Sequence, residues 1–196
     1  MTADATGGKK HRLLRLLLLL AAAALAVSLL HRGYRHYMRT AYPLGYTELV
    51  EACAEEYGFV PSLIYAVIRT ESEFDPSAVS TAGARGLMQM TEDTFEWAQR
   101  RAAVEPMLDF DQLFDPEVNI RYGVYTLSLL RERFDNPDTL LAAYNAGMGN
   151  AAKWLSDPRY SDDGVTLKAI PYEETHEYVE KVRDAQVMYR ELYDIP

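Results

Sequence analysis

A single cysteine, Cys53, occurs among the 196 residues. One cysteine cannot form an intrachain disulfide, and its distance from the N-terminal apolar segment excludes a lipid-modified cysteine at the end of that segment. We therefore expect a small buried side chain here rather than a nucleophile. The sequence also contains no metal-ligand spacing and no EF-hand loop, so neither a metal nor another cofactor is expected.

Basic residues are scarce after residue 40. Residues 1–40 contain seven of the 20 Lys and Arg but only one of the 29 Asp and Glu. The remainder has 13 basic against 28 acidic residues, a formal charge of −15. Nucleic-acid binding needs clustered Lys and Arg for phosphate contacts. The composition therefore argues against a nucleic-acid partner.

Long alternating strands, internal repeats and low-complexity segments are also missing after residue 40. Helical spacing with start and stop signals predicts helices instead. They cover about 47–57, 61–72, 91–101, 116–134, 136–147, 150–155 and 173–193, with an irregular stretch at 157–170. The sequence therefore predicts one mostly α-helical domain, large enough for a single core.

The N-terminal segment joins a basic start to a long apolar run. From Leu13 to Leu30 the 18 residues are apolar or small except for Arg15, which is at the short end for a membrane span. Residues 24–26 resemble a signal-peptide cleavage site, so a cleaved signal competes with an uncleaved signal-anchor. The anchor is favoured because the run continues to Leu30 and then meets arginines interleaved with tyrosines, which are interfacial residues. These are Arg32, Tyr34, Arg35, Tyr37 and Arg39.

Glu71 lies at the end of an apolar helical stripe. Ile64 and Ile68 are one turn apart on one helix face, and Glu71 continues that face. Burial disfavours a charged carboxylate, so a raised pKa is expected, as a general acid needs near neutral pH. The alternative is a salt bridge to Arg69 or Arg85, and spacing alone leaves both interpretations open.

Five segments in order resemble the lytic transglycosylases that cut bacterial peptidoglycan, specifically their soluble-lytic-transglycosylase catalytic domain. Each segment is modest alone, but their order and separation over about residues 46–193 are specific. The resemblance implies a mostly α-helical, lysozyme-like fold of the α+β superfamily, with a cleft between its halves. The segments are Glu71-Ser72, Ser80 with Gly83–Gln89, Leu113–Ile120, Ala143–Gly147, and Glu174-Thr175 with Tyr178-Val179.

The same resemblance implies roles for individual residues. Glu71 would be the only catalytic acid and base. Structural roles compete for several of the others, since Ser80 could tie its loop, Gln89 could satisfy buried backbone, and Met88 could belong to the core. Glu174 could be simply an acid in the first turn of a helix. The residues expected to bind substrate are Ser80, Met88, Gln89, Tyr144, Asn145, Glu174 and Tyr178.

Two positions depart from the family pattern. His176 occupies a position where many relatives have Arg, which would make the charge at this position in the cleft wall depend on pH. Glu92 occupies a position where many have Pro, which should affect only the start of a helix.

The implied reaction is non-hydrolytic cleavage of the β-1,4 bond between N-acetylmuramic acid and N-acetylglucosamine, giving 1,6-anhydromuramic acid ends. Ordinary glycosidases need a second carboxylate, whereas Glu73 and Asp75 lie past the helix end and nothing places them across the sugar. The alternatives are a hydrolytic muramidase of the goose-type lysozyme kind and a non-catalytic wall-binding module.

The N-terminal apolar segment and the five matching segments together predict how the chain is organised. Residues 1–40 comprise a cytoplasmic basic tail, a membrane span at about 13–30 and a juxtamembrane segment. Residues 41–46 form a linker, and 47–196 the catalytic domain. Four basic residues lie before or at the start of the span and three follow it, so charge leaves the orientation open. The substrate then places the domain outside the cytoplasmic membrane, as a single-pass protein, with secretion after cleavage as the alternative. Glycan strands and the membrane are the expected partners.

Overall fold

The computed structural model describes residues 5–103 and 105–196, with side chains from residue 12 onward. The chain divides into two compact units, Met1–Pro43 and Leu44–Pro196. In the first unit, helix α1 (Ala5–Ala41) contains a segment, Arg12–Ala41, long and apolar enough to cross a membrane. Its leucines are exposed, as a span or a signal sequence would require. Residues 1–4 of the predicted basic tail, and the side chains of residues 5–11 with Lys9 and Lys10 among them, lie outside the described part of the chain.

The second unit is helical, as predicted. Within the described residues its only β-type pairing is two isolated bridges, Val79 with Arg85 and Arg85 with Met90. The helices are α2 (Thr47–Tyr57), α3 (Pro61–Ser72), α4 (Glu92–Arg101), a 3-10 helix (Phe110–Phe114), α5 (Pro116–Arg131), α6 (Pro137–Ala146), α7 (Met148–Leu155) and α8 (Glu173–Tyr193).

Most helix bounds agree with the local start and stop signals. Helix α5 is the main exception, since it ends at Arg131 and not near Phe134. The chain turns there through shorter-range bonding, with the Arg133 amide donating to the Leu130 carbonyl. The 3-10 helix was not predicted. It begins at a capping box in which Asp109 and Gln112 satisfy each other's backbone amides.

Two groups of helices form the core of this unit. Helix α3 packs along α8, where the Tyr65 and Tyr189 rings stack with centroids 5.4 Å apart. Helix α5 is the central element and contacts α2, α4, α6 and the 3-10 helix. Phe95 of α4 meets Tyr122 of α5 edge to face at 4.9 Å, which fixes α4 on α5. Helices α2 and α6 connect these two pairs, since α2 contacts α3 and α5, and α6 contacts α5 and α8.

Candidate active site

A cleft of about 680 Å³ lies in the Leu44–Pro196 unit, within the size range of small-molecule sites. Its lining comes from the end of α3, the loop 73–91, α4, α5, α6, α7 and the start of α8. Six of the eight residues predicted for the site line it. They are Glu71, Ser80, Gln89, Tyr144, Asn145 and Glu174.

Glu71 occupies the last turn of α3. The helix ends just beyond it, because Glu73 adopts a left-handed conformation (φ 54°) and its amide still donates to the Arg69 carbonyl. The side chain keeps part of its exposure to the cleft, while protein surrounds most of the carboxyl group. Burial raises the pKa of Glu71 to about 7, and a smaller opposing effect comes from the Tyr178 hydroxyl. The rise expected from the apolar stripe is confirmed.

The alternative salt bridge to Glu71 is not formed. Arg69 pairs with Glu73 at 3.0 Å. Arg85 pairs with Asp111 and lies over the Phe110 ring, 4.0 Å from its centroid. No cation contributes to the pKa shift of Glu71. The carboxyl group therefore stays available to the cleft and can carry a proton near neutral pH.

Tyr178 lies in the wall behind Glu71. Its ring is buried, and its hydroxyl makes no well-formed hydrogen bond with the described residues. The hydroxyl is nonetheless close enough to the Glu71 carboxyl to lower its pKa as a donor. Burial, reinforced by the charge of Glu71, raises the pKa of Tyr178 well above its ordinary value. Tyr178 therefore remains a neutral donor that favours the ionised form of Glu71.

The buried turn at Leu87 and Met88 is held by side chains from three helices. Ser72 Oγ on α3 donates to the Leu87 carbonyl at 2.9 Å, and Tyr144 on α6 donates to the Met88 carbonyl at 2.8 Å. The Met88 amide donates to Asn119 Oδ1 on α5 at 2.8 Å. Buried backbone groups need such partners. The loop that carries Ser80 and Gln89 is therefore fixed to α3, α5 and α6.

Met88 differs from the other predicted site residues. Its side chain is fully buried and is not part of the cleft lining. It fills the space over Gly123, where an added Cβ would lie 2.3 Å from the Met88 sulfur. This placement favours the core interpretation of the side chain over a substrate contact.

Ser80 and Gln89 line the cleft and also tie their own loop. Ser80 Oγ accepts from the Ala84 amide at 3.0 Å. Gln89 Nε2 donates to the Ala78 and Gly86 carbonyls at 3.1 and 2.9 Å. The structural roles considered for these residues are thus present. Gln89 Oε1 has no partner among the described residues and remains available as an acceptor.

Asn145 at the end of α6 and Glu174 at the start of α8 also line the cleft. Asn145 Oδ1 accepts from Thr175 Oγ1 at 2.8 Å, which leaves the amide nitrogen free to donate into the cleft. Glu174 is exposed in the first turn of α8. His176 and Glu92, the two departures from the family pattern, are exposed and lie outside the lining. His176 instead faces Glu180, 3.7 Å away.

Sequence reasoning assigned no role to four residues in or beside the cleft. Asn119 is fully buried and also donates to the Arg85 and Leu113 carbonyls at 2.9 and 2.8 Å. Thr126 lines the cleft floor, is 2% exposed, and its hydroxyl has no partner among the described residues. Asp93 and Trp97 come from α4. In the sequence, the signal that could have identified Asn119 was a polar residue on a buried face of a predicted helix.

Among the side chains that the structure describes, no group of three or more His, Cys, Asp or Glu could hold a metal ion. Cys53 is buried and unpaired, and burial raises the pKa of its thiol. A raised pKa disfavours the thiolate that a nucleophile or a ligand needs.

Comparison with known proteins gives a consistent result. The family model described as "Transglycosylase SLT domain" matches residues 48–165. Soluble lytic murein transglycosylase of Escherichia coli (strain K12) is 31% identical over 156 residues, covering 79% of this chain and 24% of the relative. Membrane-bound lytic murein transglycosylase C of Pectobacterium atrosepticum is 33% identical over 174 residues, covering 74% of this chain and 46% of the relative. The chain thus matches less than half of either relative.

Solved structures give the same similarity in three dimensions. An inactive mutant of the lytic transglycosylase Slt of Pseudomonas aeruginosa matches with a TM-score of 0.70 and 35% identity, over 79% of this chain and 25% of that one. The 70-kDa soluble lytic transglycosylase in complex with bulgecin A matches with a TM-score of 0.70 and 28% identity, over the same shares.

Proposed function

This chain belongs to the transglycosylase SLT domain family, and on that premise we propose that it is a peptidoglycan lytic transglycosylase. Its substrate is the β-1,4 bond between N-acetylmuramic acid and N-acetylglucosamine. The observation that carries the proposal is the Glu71 carboxyl, open to the cleft and with a pKa of about 7. About half of such a group is protonated at neutral pH, so one side chain is suited to both donate and accept a proton.

In the first step, protonated Glu71 donates to the glycosidic oxygen as the C1–O bond breaks and positive charge develops on the muramic sugar. In the second step, ionised Glu71 takes the proton from the C6 hydroxyl while that oxygen bonds to C1. The product is a 1,6-anhydro ring, and no water is consumed. Attack by a hydroxyl on the same sugar has a high effective molarity. Tyr178 supports the ionised state between the steps.

The charges around Glu71 favour this course over a two-carboxylate mechanism. Glu73 is paired with Arg69, and Asp75 accepts from the Ser77 amide and hydroxyl at 2.8 and 2.7 Å. Two other carboxylates, Asp93 and Glu174, line the cleft. Both are exposed, and neither contributes to the raised pKa of Glu71.

Product analysis tests the reaction. The full chain in detergent is incubated with purified sacculi in water enriched in oxygen-18, and the soluble products are identified by mass spectrometry. We expect ends that are one water lighter than hydrolysis products and that contain no oxygen-18. Reducing ends with oxygen-18 would instead identify a hydrolytic muramidase.

Replacing Glu71 by Gln tests the acid. The amide keeps the shape but donates no proton, so clearing of a sacculus suspension should fall by at least about a hundredfold. Binding to sacculi should persist. Unchanged clearing by the variant would reject Glu71 as the catalytic acid. If the unmodified protein (the parent) bound sacculi fully but did not clear them, it would instead be a wall-binding module. Bulgecin A, which is bound in a structure of the 70-kDa relative, is expected to bind the unmodified protein.

We further propose that residues 1–40 anchor the protein with its N-terminus inside, and that residues 47–196 form the domain outside. The substrate is outside the cytoplasmic membrane, and Arg12–Ala41 is long and apolar enough to span it. External protease should degrade the domain in intact protoplasts, whereas protection would reverse the orientation. Release of a shortened chain into the medium would identify signal cleavage.

A further inference from the structure

The chain leaves helix α3 through two consecutive residues in the left-handed conformation. Glu73 has a φ of 54° and Phe74 a φ of 69°, directly after Glu71 and Ser72. Side chains of L-residues avoid this region, and a bulky aromatic residue there persists only when its surroundings hold it. Two such residues in succession, beginning two positions after the acid, therefore need a structural cause.

Part of that cause is polar and local. The Glu73 amide donates to the Arg69 carbonyl at 3.2 Å, and the Glu73 carboxylate pairs with the Arg69 guanidinium at 3.0 Å. The Asp75 amide donates to the Ser72 carbonyl at 3.0 Å, which closes the turn around the two residues. The Glu73 side chain is exposed, so water screens its ion pair and the pair contributes little. These contacts act on Glu73 and leave the conformation of Phe74 unexplained.

The Phe74 ring supplies the second part. Its centroid lies 6.4 Å from that of the Tyr65 ring on α3, and Tyr65 stacks in turn on Tyr189 of α8. Tyr65 precedes Glu71 by six residues, so the two side chains are about 120° apart around the helix. After Glu71 the chain therefore turns away from the cleft and folds back onto another side of α3, where the ring packs.

Gly45 completes the seat of the ring. It belongs to the segment 41–46 that precedes α2, and a Cβ added to it would lie 2.8 Å from Phe74 Cδ1 and 3.2 Å from Phe74 Cε1. A carbon atom at 2.8 Å is inside van der Waals contact distance. Gly45 is not among the residues in the left-handed conformation. The close approach of the ring, and not a backbone angle, therefore favours glycine at this position.

We propose that Phe74 is a positioning residue for Glu71. Its ring, held between Gly45 and Tyr65, fixes the two left-handed residues and through them the last turn of α3, so that the Glu71 carboxyl keeps its place beside the cleft. Phe74 does not line the cleft and acts only through the acid. This inference rests on the proposed function for the role of the acid, but the surroundings of the acid can be measured without turnover.

Carbon-13 NMR of labelled glutamate carboxyl groups, in the full chain in detergent, measures the pKa of Glu71, and Glu71→Gln assigns the signal. The other titratable groups near this carboxyl are Tyr144 and Tyr178, and burial raises the pKa of each well above its ordinary value. Neither therefore titrates near pH 7. The parent should titrate with a pKa of about 7. In Phe74→Ala the last turn loosens and water reaches the carboxyl group, so the pKa should fall toward its ordinary value of 4.5.

Further variants separate the ring from the backbone. Phe74→Tyr keeps the ring and should keep the pKa of Glu71. Phe74→Gly accepts a left-handed backbone freely but lacks the ring, so it should lower the pKa as Phe74→Ala does. Gly45→Ala leaves Phe74 in place and displaces its ring, so a smaller fall in the same direction is expected. Gly33→Ala is the matched control and should change nothing, because a Cβ added there meets no atom within 4 Å.

Kinetics give a second readout in the active chain. Phe74→Ala should lower kcat by about tenfold or more, because a displaced acid no longer meets the glycosidic oxygen. KM should stay within about twofold of the parent value. The falling limb of kcat/KM against pH should move to lower pH. A ring that only stabilised the fold would lower the free energy of unfolding and leave this limb in place.

The parent's pKa of Glu71 in Phe74→Ala, or in both Phe74→Gly and Gly45→Ala, would overturn the positioning role. If Phe74→Ala does not fold, Gly45→Ala decides by itself. A lowered pKa in the variants without any cleavage of sacculi by the parent would reject the proposed function and keep the positioning role. Anhydro products from the parent with an unchanged pKa in the variants would reject the positioning role alone.

Discussion

Tyr144 donates a hydrogen bond of 2.8 Å from its hydroxyl to the backbone carbonyl of Met88. This bond joins α6 to the buried turn that precedes Gln89. Tyr144 also lines the cleft, and burial raises the pKa of its hydroxyl well above the ordinary value. The residue is therefore a neutral donor whose support of the loop can be separated from any contact with substrate.

Replacing Tyr144 by Phe tests that support. The ring is kept, but the buried carbonyl of Met88 loses its donor, so the free energy of unfolding should fall by about 1–3 kcal/mol. Urea unfolding provides the measurement. Tyr172→Phe is the control, since that side chain is 51% exposed and its hydroxyl has no hydrogen-bond partner among the described residues. Equal losses in the two variants would contradict the assignment.

Asn119→Ala should be more destabilising. Its side chain satisfies the Met88 amide and the Arg85 and Leu113 carbonyls, and each group left unpaired costs about 1–3 kcal/mol. A loss of at least about 3 kcal/mol is expected in urea unfolding. Asn150→Ala is the matched control, because Asn150 makes one bond, to the Ala146 carbonyl, in a partly exposed position. A loss no larger than that of the control would reject this role.

Tyr178→Phe should change how activity depends on pH. The Tyr178 hydroxyl lowers the pKa of Glu71, so removing it should raise that pKa further. In the parent, kcat/KM should fall as pH rises through about 7, because the acid form of Glu71 is lost. The falling limb should move to higher pH in the variant. A limb that stays in place or moves to lower pH would exclude the interaction.

Glu71 should make the protein less stable as pH rises. Its pKa is about 7 in the folded protein against an ordinary value of 4.5, so between these values the folded state holds a proton that the unfolded state has released. The free energy of unfolding should therefore decrease from pH 4.5 to pH 7 by about 3 kcal/mol. Glu71→Gln lacks this dependence. Its stability relative to the parent should increase between pH 5 and pH 8, and a constant difference would contradict the raised pKa.

The variant Thr126→Val tests whether the Thr126 hydroxyl takes part in the reaction. Thr126 Oγ1 is buried without a described partner, which costs folding free energy. Valine has nearly the same shape, so the free energy of unfolding should rise by about 1 kcal/mol. If Oγ1 meets substrate or the Glu71 carboxyl, kcat/KM should fall at the same time. A stabilised variant with full activity would show that the hydroxyl has no role in the reaction.

Several helices were predictable because their signals are local. Pro61, Pro116 and Pro137 each occupy the first turn of a helix, and proline fixes a backbone angle that suits this position. The extent of α5 was not predictable in the same way. Its sequence continues with helix-compatible residues to Phe134, and the turn there depends on how the chain packs afterwards.

The environment of Glu71 was predictable only in part. Its place on an apolar stripe indicated burial and a raised pKa, because helical periodicity relates sequence to one face directly. The choice between a free acid and a salt bridge was not. That choice depended on where Arg69 and Arg85 find other partners, and the partner of Arg85 is 26 residues away in the chain.

The sequence alone determined most of the helices, the apolar N-terminal segment and the family, and it singled out Glu71 as the candidate acid, because these follow from local spacing and from motifs in order. Only the tertiary structure decided which polar groups hold the loop and which remain free in the cleft. Asn119 meets Met88 across 31 residues of sequence, and Tyr144 meets it across 56. Hydrogen bonds and burial depend on distance in space, and periodicity within one helix carries no information about the neighbours that folding brings to it.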